Sequence, residues 1–346
     1  MRGLVLQGHG GLEQLVVRTD LPEPPAPTGG DVLLRVEAAA LNHLDLWVLR
    51  GIPGVTLTPD WIALCDAVGT VEAIGDAVTT LSPGDRVVLD PGVSCRACEA
   101  CLAGDKPLCP RYRILGEHRP GVAAERVLVP AVNLRTIPAT IPAPQAAAFG
   151  LATLTAYRMV VSRARVQPGE RVLLWGIGGG VALAALQLCR AIGAETWVTS
   201  SDPDKLARAQ AMGADHVVNH ASEDVPAVIR AATGKQGVHV VIDSVGEATW
   251  DRSLRALGRA GRLVTCGGTS GPMVQTDVRK LFWNQWSLMG STMGNDAEFD
   301  AIVARFRVGE LVPPVDTVVP LAEGVRAYER LLSGKQFGKV VVQVTE

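Results

Sequence analysis

After Pro144 the 346-residue chain alternates short apolar runs with alanine-rich stretches, and this alternation restricts the possible folds more than any other feature. Arg171–Trp175, Glu195–Thr199, Val238–Asp243 and Arg262–Cys266 have the length and composition of buried strands. Ala182–Ile192, Asp204–Met212 and Thr249–Leu257 read as helices between them. Strand–helix units repeated in this way imply a parallel sheet covered on both faces. Between the first strand and its helix lies Gly176-Ile-Gly-Gly-Gly-Val-Ala182. Glycines there let the backbone turn tightly and approach a pyrophosphate, whose charge is met by amides at the helix N-terminus. In this strand–turn–helix setting Gly176, Gly178, Gly179, Gly180 and Val181 are candidate contacts to a dinucleotide. Cys266, closing a later strand, joins them as a candidate.

The second strand ends Thr199-Ser-Ser-Asp202. A site for NAD places a carboxylate at this point for the ribose hydroxyls, and that carboxylate would repel a 2′-phosphate. Counting back from Lys205, the deciding position is Ser200. Ser200, Ser201 and Lys205 tolerate a phosphate, so NADP(H) is favoured over NAD(H). The nearby Asp202 opposes this reading if it turns inward, and agrees with it if it caps the next helix.

The chain is long enough for two cores. Its net charge of -2, with Lys and Arg scattered, gives no footprint for nucleic acid. The N-terminus lacks the apolar core of a signal peptide, and no apolar run approaches the length of a membrane span. A soluble, cytoplasmic protein is expected. Runs such as Val32–Val36, Gly69–Ala73 and Arg86–Leu89, with turns such as Ser82-Pro-Gly-Asp85, make the first ~150 residues a β-rich region.

Within it, Cys95, Cys98, Cys101 and Cys109 form a C-x2-C-x2-C-x7-C run. Four thiolates suit one tetrahedral Zn2+ in a closed, structural site that leaves no position for substrate. An iron–sulfur cluster also uses thiolates, but the Asp-Lys-Pro turn at 105–107 reads as solvated rather than as a cluster pocket. Cys65, Cys189 and Cys266 form an odd set in apolar or glycine-rich contexts, which fits a reducing compartment.

The cysteine run, Gly75-Asp-Ala-Val78 with Pro83-Gly-Asp-Arg-Val87, the Gly176–Ala182 turn and the terminal Phe337-Gly-Lys-Val-Val341 together resemble the medium-chain dehydrogenase/reductase superfamily. The resemblance runs nearly end to end. It implies a GroES-like, β-rich catalytic domain from residues 1–151 and 292–346, with a structural zinc lobe at about 91–112. It also implies a doubly wound Rossmann domain over 152–291.

Zinc-dependent members of the superfamily hold a catalytic zinc through Cys, His and Cys. By resemblance these positions fall on Asn42, Cys65 and Leu151, while the proton-relay hydroxyl and His fall on Leu44 and Trp47. Asn42 is a poor zinc ligand and leucine is none. The Asn42 and Asp45 pattern and Gly179-Gly-Val-Ala182 resemble instead the zinc-independent quinone oxidoreductase branch, which usually lacks the cysteine lobe.

Without a Lewis acid, hydrogen bonds must polarise the substrate, which favours conjugated acceptors. The expected reaction is hydride transfer from NADPH to a quinone or α,β-unsaturated carbonyl. Asn42, Asp45, Cys65, Asp66 and His118 are the candidate catalytic residues, and the resemblance adds His43 and Thr155 at the cofactor. Each has a duller reading: Asn42 and Asp45 as helix caps, Cys65 as a buried hydrophobe, His118 and His43 as surface residues. Asp243 is assigned to the fold's own hydrogen bonding. Trp47, Trp61, Leu64, Leu151, Phe282 and Trp283 are candidate lining for an apolar substrate, whether carbonyl, quinone or alcohol. One alternative is a zinc-dependent alcohol dehydrogenase with ligands drawn from Cys65, His43, Asp66, His118 or Glu125. Another is a dinucleotide-binding protein without turnover. A homodimer or homotetramer is expected, with no nucleic-acid or membrane partner.

Overall fold

The computed structural model describes residues 1–345. They divide into two compact units, one of residues 1–152 with the segment from 294 onward, the other of residues 153–293.

The second unit is built on a six-stranded parallel sheet. Its spatial order is His216–Asn219, Glu195–Ser200, Arg171–Leu174, Val238–Asp243, Leu257–Thr265, Ser287–Gly290. This is the doubly wound order 3-2-1-4-5-6, in which the chain reverses direction between the first and fourth strands. Val172, Leu173, Val198, Val240, Val241 and Leu263 are buried, as strands covered on both faces require. The helices fall where the pattern placed them, at Gly180–Ile192, Pro203–Ala211 and Glu247–Ala256. The sequence reading passed over the strand His216–Asn219 and the helix Val225–Ala232, the first because only two apolar residues stand between His and Asn.

The first unit holds a seven-stranded sheet in the order Leu134–Thr136, Arg86–Leu89, Asp66–Ile74, Asp31–Ala40, Lys339–Gln343, Val315–Pro320. Arg126–Pro130 pairs off this path with Asp31–Ala40. The terminal strand is thus inserted beside one that lies some 300 positions earlier. The register pairs Val341 with Ala40, and Ala40 with Asp66. That register gathers three strand ends, since Asn42 lies two residues past Ala40, Asp66 opens its strand and Lys339 opens another.

No helix among the described residues is long and apolar enough to cross a membrane.

Candidate active site

The three strand ends carry a buried polar cluster. Asn42 keeps 7% of its surface exposed, Asp66 0% and Lys339 4%. Buried polar groups must be paired to persist, and each of these is. The Lys339 Nζ donates to Asn42 Oδ1 and, at 3.1 Å, to Asp66 Oδ2. Asn42 Nδ2 donates to Asp66 Oδ2 at 2.8 Å and more weakly to Cys65 Sγ at 3.4 Å. The other Asp66 oxygen accepts the Leu151 amide at 2.7 Å, near the start of the helix Gly150–Tyr157. A Cβ on Gly150 would stand 2.4 Å from Asp66 Oδ1, so glycine is what lets this helix start approach the carboxylate.

Asn42, Cys65 and Leu151, matched in sequence to the zinc-ligand positions, therefore do converge in space. Their chemistry does not fit zinc. Leu151 offers only its amide, the Asn42 oxygen is taken by Lys339, and Cys65 is fully buried, with burial pushing its thiol pKa well above the usual value. Among the described residues, the cysteine quartet alone brings three or more His, Cys, Asp or Glu ligand atoms together in metal-binding proximity.

Asp45 lies one turn further, at the start of the helix His43–Arg50, and its Oδ2 takes the Asn42 backbone N–H at 2.6 Å. This is the capping role expected of Asn42 and Asp45, which form a reciprocal capping box, and the Asn42 side chain also reaches the buried cluster. Burial raises the Asp45 carboxyl to about 7, against the lowering effects of the Asn42 amide and of Lys339. His43 is reached by solvent, and its pKa is lowered by desolvation, then by the charges of Lys339 and Arg50. Tyr328 is fully buried beside Asp45 and Cys65, and its hydroxyl has no hydrogen-bond partner.

His118 sits on an exposed loop, where its Nδ1 accepts the Ile114 amide at 3.3 Å. The loop is pinned to the strand segment before Cys65 by Gly121 N to Ile62 O at 2.7 Å and Trp61 Nε1 to Gly116 O at 3.0 Å. Its neighbour Glu117 is half-buried, which raises its carboxyl to about 7. Glu125 is paired with Arg2 at 2.7 Å. Trp61 and Leu64 belong to the core of this unit and line no open surface, whereas Phe282 and Trp283 in the other unit are 64% and 71% exposed.

In the second unit the glycine turn has the geometry a phosphate needs. Gly176 and Gly178 adopt φ of 68° and 117°, which side chains disfavour. Gly179 then caps the helix Gly180–Ile192 with no side chain on its first amides and no acidic residue in its first turn. Those amides and the helix dipole are left for an anion. At the end of the second strand Ser200 is buried, its Oγ accepting the Asp202 amide at 3.0 Å. Asp202 turns onto the next helix, accepting from the Asp204 amide at 2.9 Å and the Lys205 amide at 3.4 Å. Ser201 is exposed and Lys205 half-buried. Thr155 is buried, with Met293 Sδ 3.9 Å from its hydroxyl. Burial raises the Cys266 thiol to about 12. Asp243 accepts four hydrogen bonds, from Val245 N, Gly246 N, Thr249 Oγ1 and Ser253 Oγ, and so braces the fold.

The ligand atoms of Cys95, Cys98, Cys101 and Cys109 lie within 4.8 Å of one another. Cys95 Sγ is 3.9 Å from Cys101 Sγ and 3.4 Å from Cys109 Sγ. Zn–S bonds of about 2.3 Å in a tetrahedron give edges of about 3.8 Å, so the quartet fits one zinc. The Ala97 amide, ahead of other bonds, holds the Cys95 thiol down to about 5, which favours a thiolate ligand. One expectation fails here: the turn at 105–107 is not solvated at Lys106. Its ammonium is buried between Asp90 and Asp296, the latter at 2.8 Å, and ties the lobe to the helix Asp296–Arg307.

With this geometry in hand, comparison with known proteins is decisive. Residues 28–139 match the alcohol dehydrogenase GroES-like domain, and residues 180–307 match the zinc-binding dehydrogenase family. A crystal structure of an NAD-dependent alcohol dehydrogenase superposes with a TM-score of 0.94 at 41% identity, covering 100% of both chains. The chain belongs to the medium-chain dehydrogenase/reductase superfamily. Among its superfamily relatives, the crotonyl-CoA carboxylase/reductase of Cereibacter sphaeroides is 30% identical, over 93% of this chain and 82% of its own. The quinone oxidoreductase of Homo sapiens is 27% identical, over 99% and 97%. Like these superfamily members, the protein is an oxidoreductase with a GroES-like and a Rossmann-type domain.

Lys339 and Tyr328 escaped the sequence reading. A lysine opening an apolar Lys-Val-Val-Val strand was the available signal, because such a charge is buried only when it has a partner.

Proposed function

We propose that the protein transfers hydride from NADPH to a quinone or an α,β-unsaturated carbonyl, with one structural zinc at Cys95, Cys98, Cys101 and Cys109 and no metal at the reacting centre. The observation that carries this is the occupation of the would-be metal centre by a lysine ammonium hydrogen-bonded to Asn42 and Asp66. The names of two relatives, a crotonyl-CoA reductase and a quinone oxidoreductase, denote conjugated acceptors and support it.

Bound NADPH supplies the hydride, and one proton from solvent completes the saturated carbonyl or hydroquinone. The chain's own groups bind and orient. The amides opening the helix Gly180–Ile192 hold the pyrophosphate, with Gly176, Gly178, Gly179 and Val181 in contact. Ser200, Ser201 and Lys205 accept the 2′-phosphate, and Asp202, engaged as a helix cap, does not oppose it. Thr155 and His43 sit at the cofactor. Asn42 directs an N–H toward the carbonyl oxygen as negative charge builds there. Asp45, Asp66 and Cys65 hold Asn42, and His118 borders the same strand segment through its loop.

A homodimer or homotetramer in the cytoplasm belongs to the same reading. Met273, Val278, Phe282 and Trp283, which precede the edge strand Ser287–Gly290 in sequence, are exposed apolar side chains that assembly would cover.

The test is steady-state NADPH consumption with 2-cyclohexenone and 1,4-benzoquinone, beside NAD(P)+ reduction with primary and secondary alcohols. Turnover confined to the conjugated acceptors is the expected outcome. Turnover confined to alcohols, dependent on a second zinc, would replace this reading with that of an alcohol dehydrogenase using unusual ligands.

A further inference from the structure

The Phe337-Gly338-Lys339 segment delivers the lysine of the buried cluster. It is anchored with care: Asp316 accepts the Phe337 amide at 2.9 Å while pairing with Arg330 at 2.8 Å, and the Lys339 amide bonds Pro314 O at 2.9 Å. The result is a lysine side chain delivered into a region without solvent.

We infer that Lys339 is a positioning residue for the reduction, holding the Asn42 carboxamide with its oxygen inward and one N–H available to a substrate oxygen. An asparagine amide is nearly symmetric in shape, and only its hydrogen bonds decide which end points where. Here the ammonium donates to Oδ1, and rotating the amide would set NH2 against NH3+. One Nδ2 hydrogen is committed to Asp66 Oδ2 at 2.8 Å. The other meets only Cys65 Sγ at 3.4 Å, a weak acceptor that a carbonyl oxygen can displace. A cation on the amide oxygen also polarises the group and strengthens its N–H as a donor. Lys339 thus acts through Asn42 and brings positive charge to the centre without an open coordination site.

The contact itself is independent of the proposed reaction, whereas its catalytic consequence rests on that reading. Two measurements separate them. In the first, Lys339→Arg, Lys339→Met and the neutral pair Lys339→Met/Asp66→Asn are compared in melting temperature, NADPH affinity and turnover of 2-cyclohexenone. The neutral pair should melt near the wild type and bind NADPH as well, yet lose about tenfold or more in kcat, while Lys339→Arg retains most of it. A neutral pair that regains both stability and kcat would reduce Lys339 to a structural ion pair. Should Lys339→Met not fold, Lys339→Gln, which keeps an N–H donor without the charge, takes its place. The second measurement uses no substrate: a thermal double-mutant cycle of the same Lys339 variant with Asn42→Ala. Losses that are less than additive are expected, and strict additivity would overturn the contact. If the wild type reduces neither acceptor class, the reductase reading fails and this cycle still decides the role of Lys339.

Discussion

Lys339 and Asp66 meet 3.1 Å apart at the opening ends of two strands, 273 positions distant in the chain, with almost no solvent on either. A buried charge left without its partner is far more costly than the pair it came from. Asp66→Ala strands the ammonium and also leaves the Leu151 amide without its acceptor. We expect a loss of roughly 3–5 kcal/mol in urea denaturation. A loss below about 1 kcal/mol would mean that water reaches the site.

The Asp45 carboxyl predicts a pH dependence of stability. Its folded value of about 7 lies above the unfolded value of 3.8. Its stabilising contribution is therefore complete below pH 3.8 and is lost as pH rises through 7. Asp45→Asn keeps an oxygen for the Asn42 amide and removes the ionisation. Between pH 4 and pH 8 the variant should gain on the wild type by up to roughly 4 kcal/mol. Parallel stability curves for the two proteins would show Asp45 to be ordinary.

Zinc content, measured per chain on dialysed protein, should be one. Cys101→Ser should lower it well below one and reduce the melting temperature, because the lobe's packing around Lys106 depends on the metal holding the loop closed. Two zinc ions per chain would reopen the assignment of Asn42 and Leu151.

Cofactor choice should turn on Ser200. Ser200→Asp places a carboxylate where the ribose hydroxyls are read, with Asp202 still capping the next helix. The ratio of kcat/KM for NADPH over NADH should fall by at least about tenfold, equivalent to about 1.4 kcal/mol. A wild type that already prefers NADH would overturn the assignment before any mutation is made.

How much of this was legible in advance follows from sequence distance. The glycine turn and its flanking strand and helix lie within some twenty consecutive residues, and the four cysteines within fifteen, so local pattern alone exposed both. Asp202 was open between two roles until its carboxylate was seen on the amides of 204 and 205. Lys106 looked solvated because Asp-Lys-Pro is turn-like, and only the Asp90 and Asp296 carboxylates explain its burial.

The sequence by itself determined the parallel-sheet unit, the glycine turn and the four-cysteine loop, because each is written in neighbouring residues whose spacing dictates backbone form, and the resemblance to the superfamily showed that the usual zinc-ligand positions carry Asn42, Cys65 and Leu151. Tertiary structure alone decided what fills the place of those ligands. Asn42, Asp66 and Lys339 meet through the register of three strands drawn from both ends of the chain, and nothing local to any one of them specifies that register.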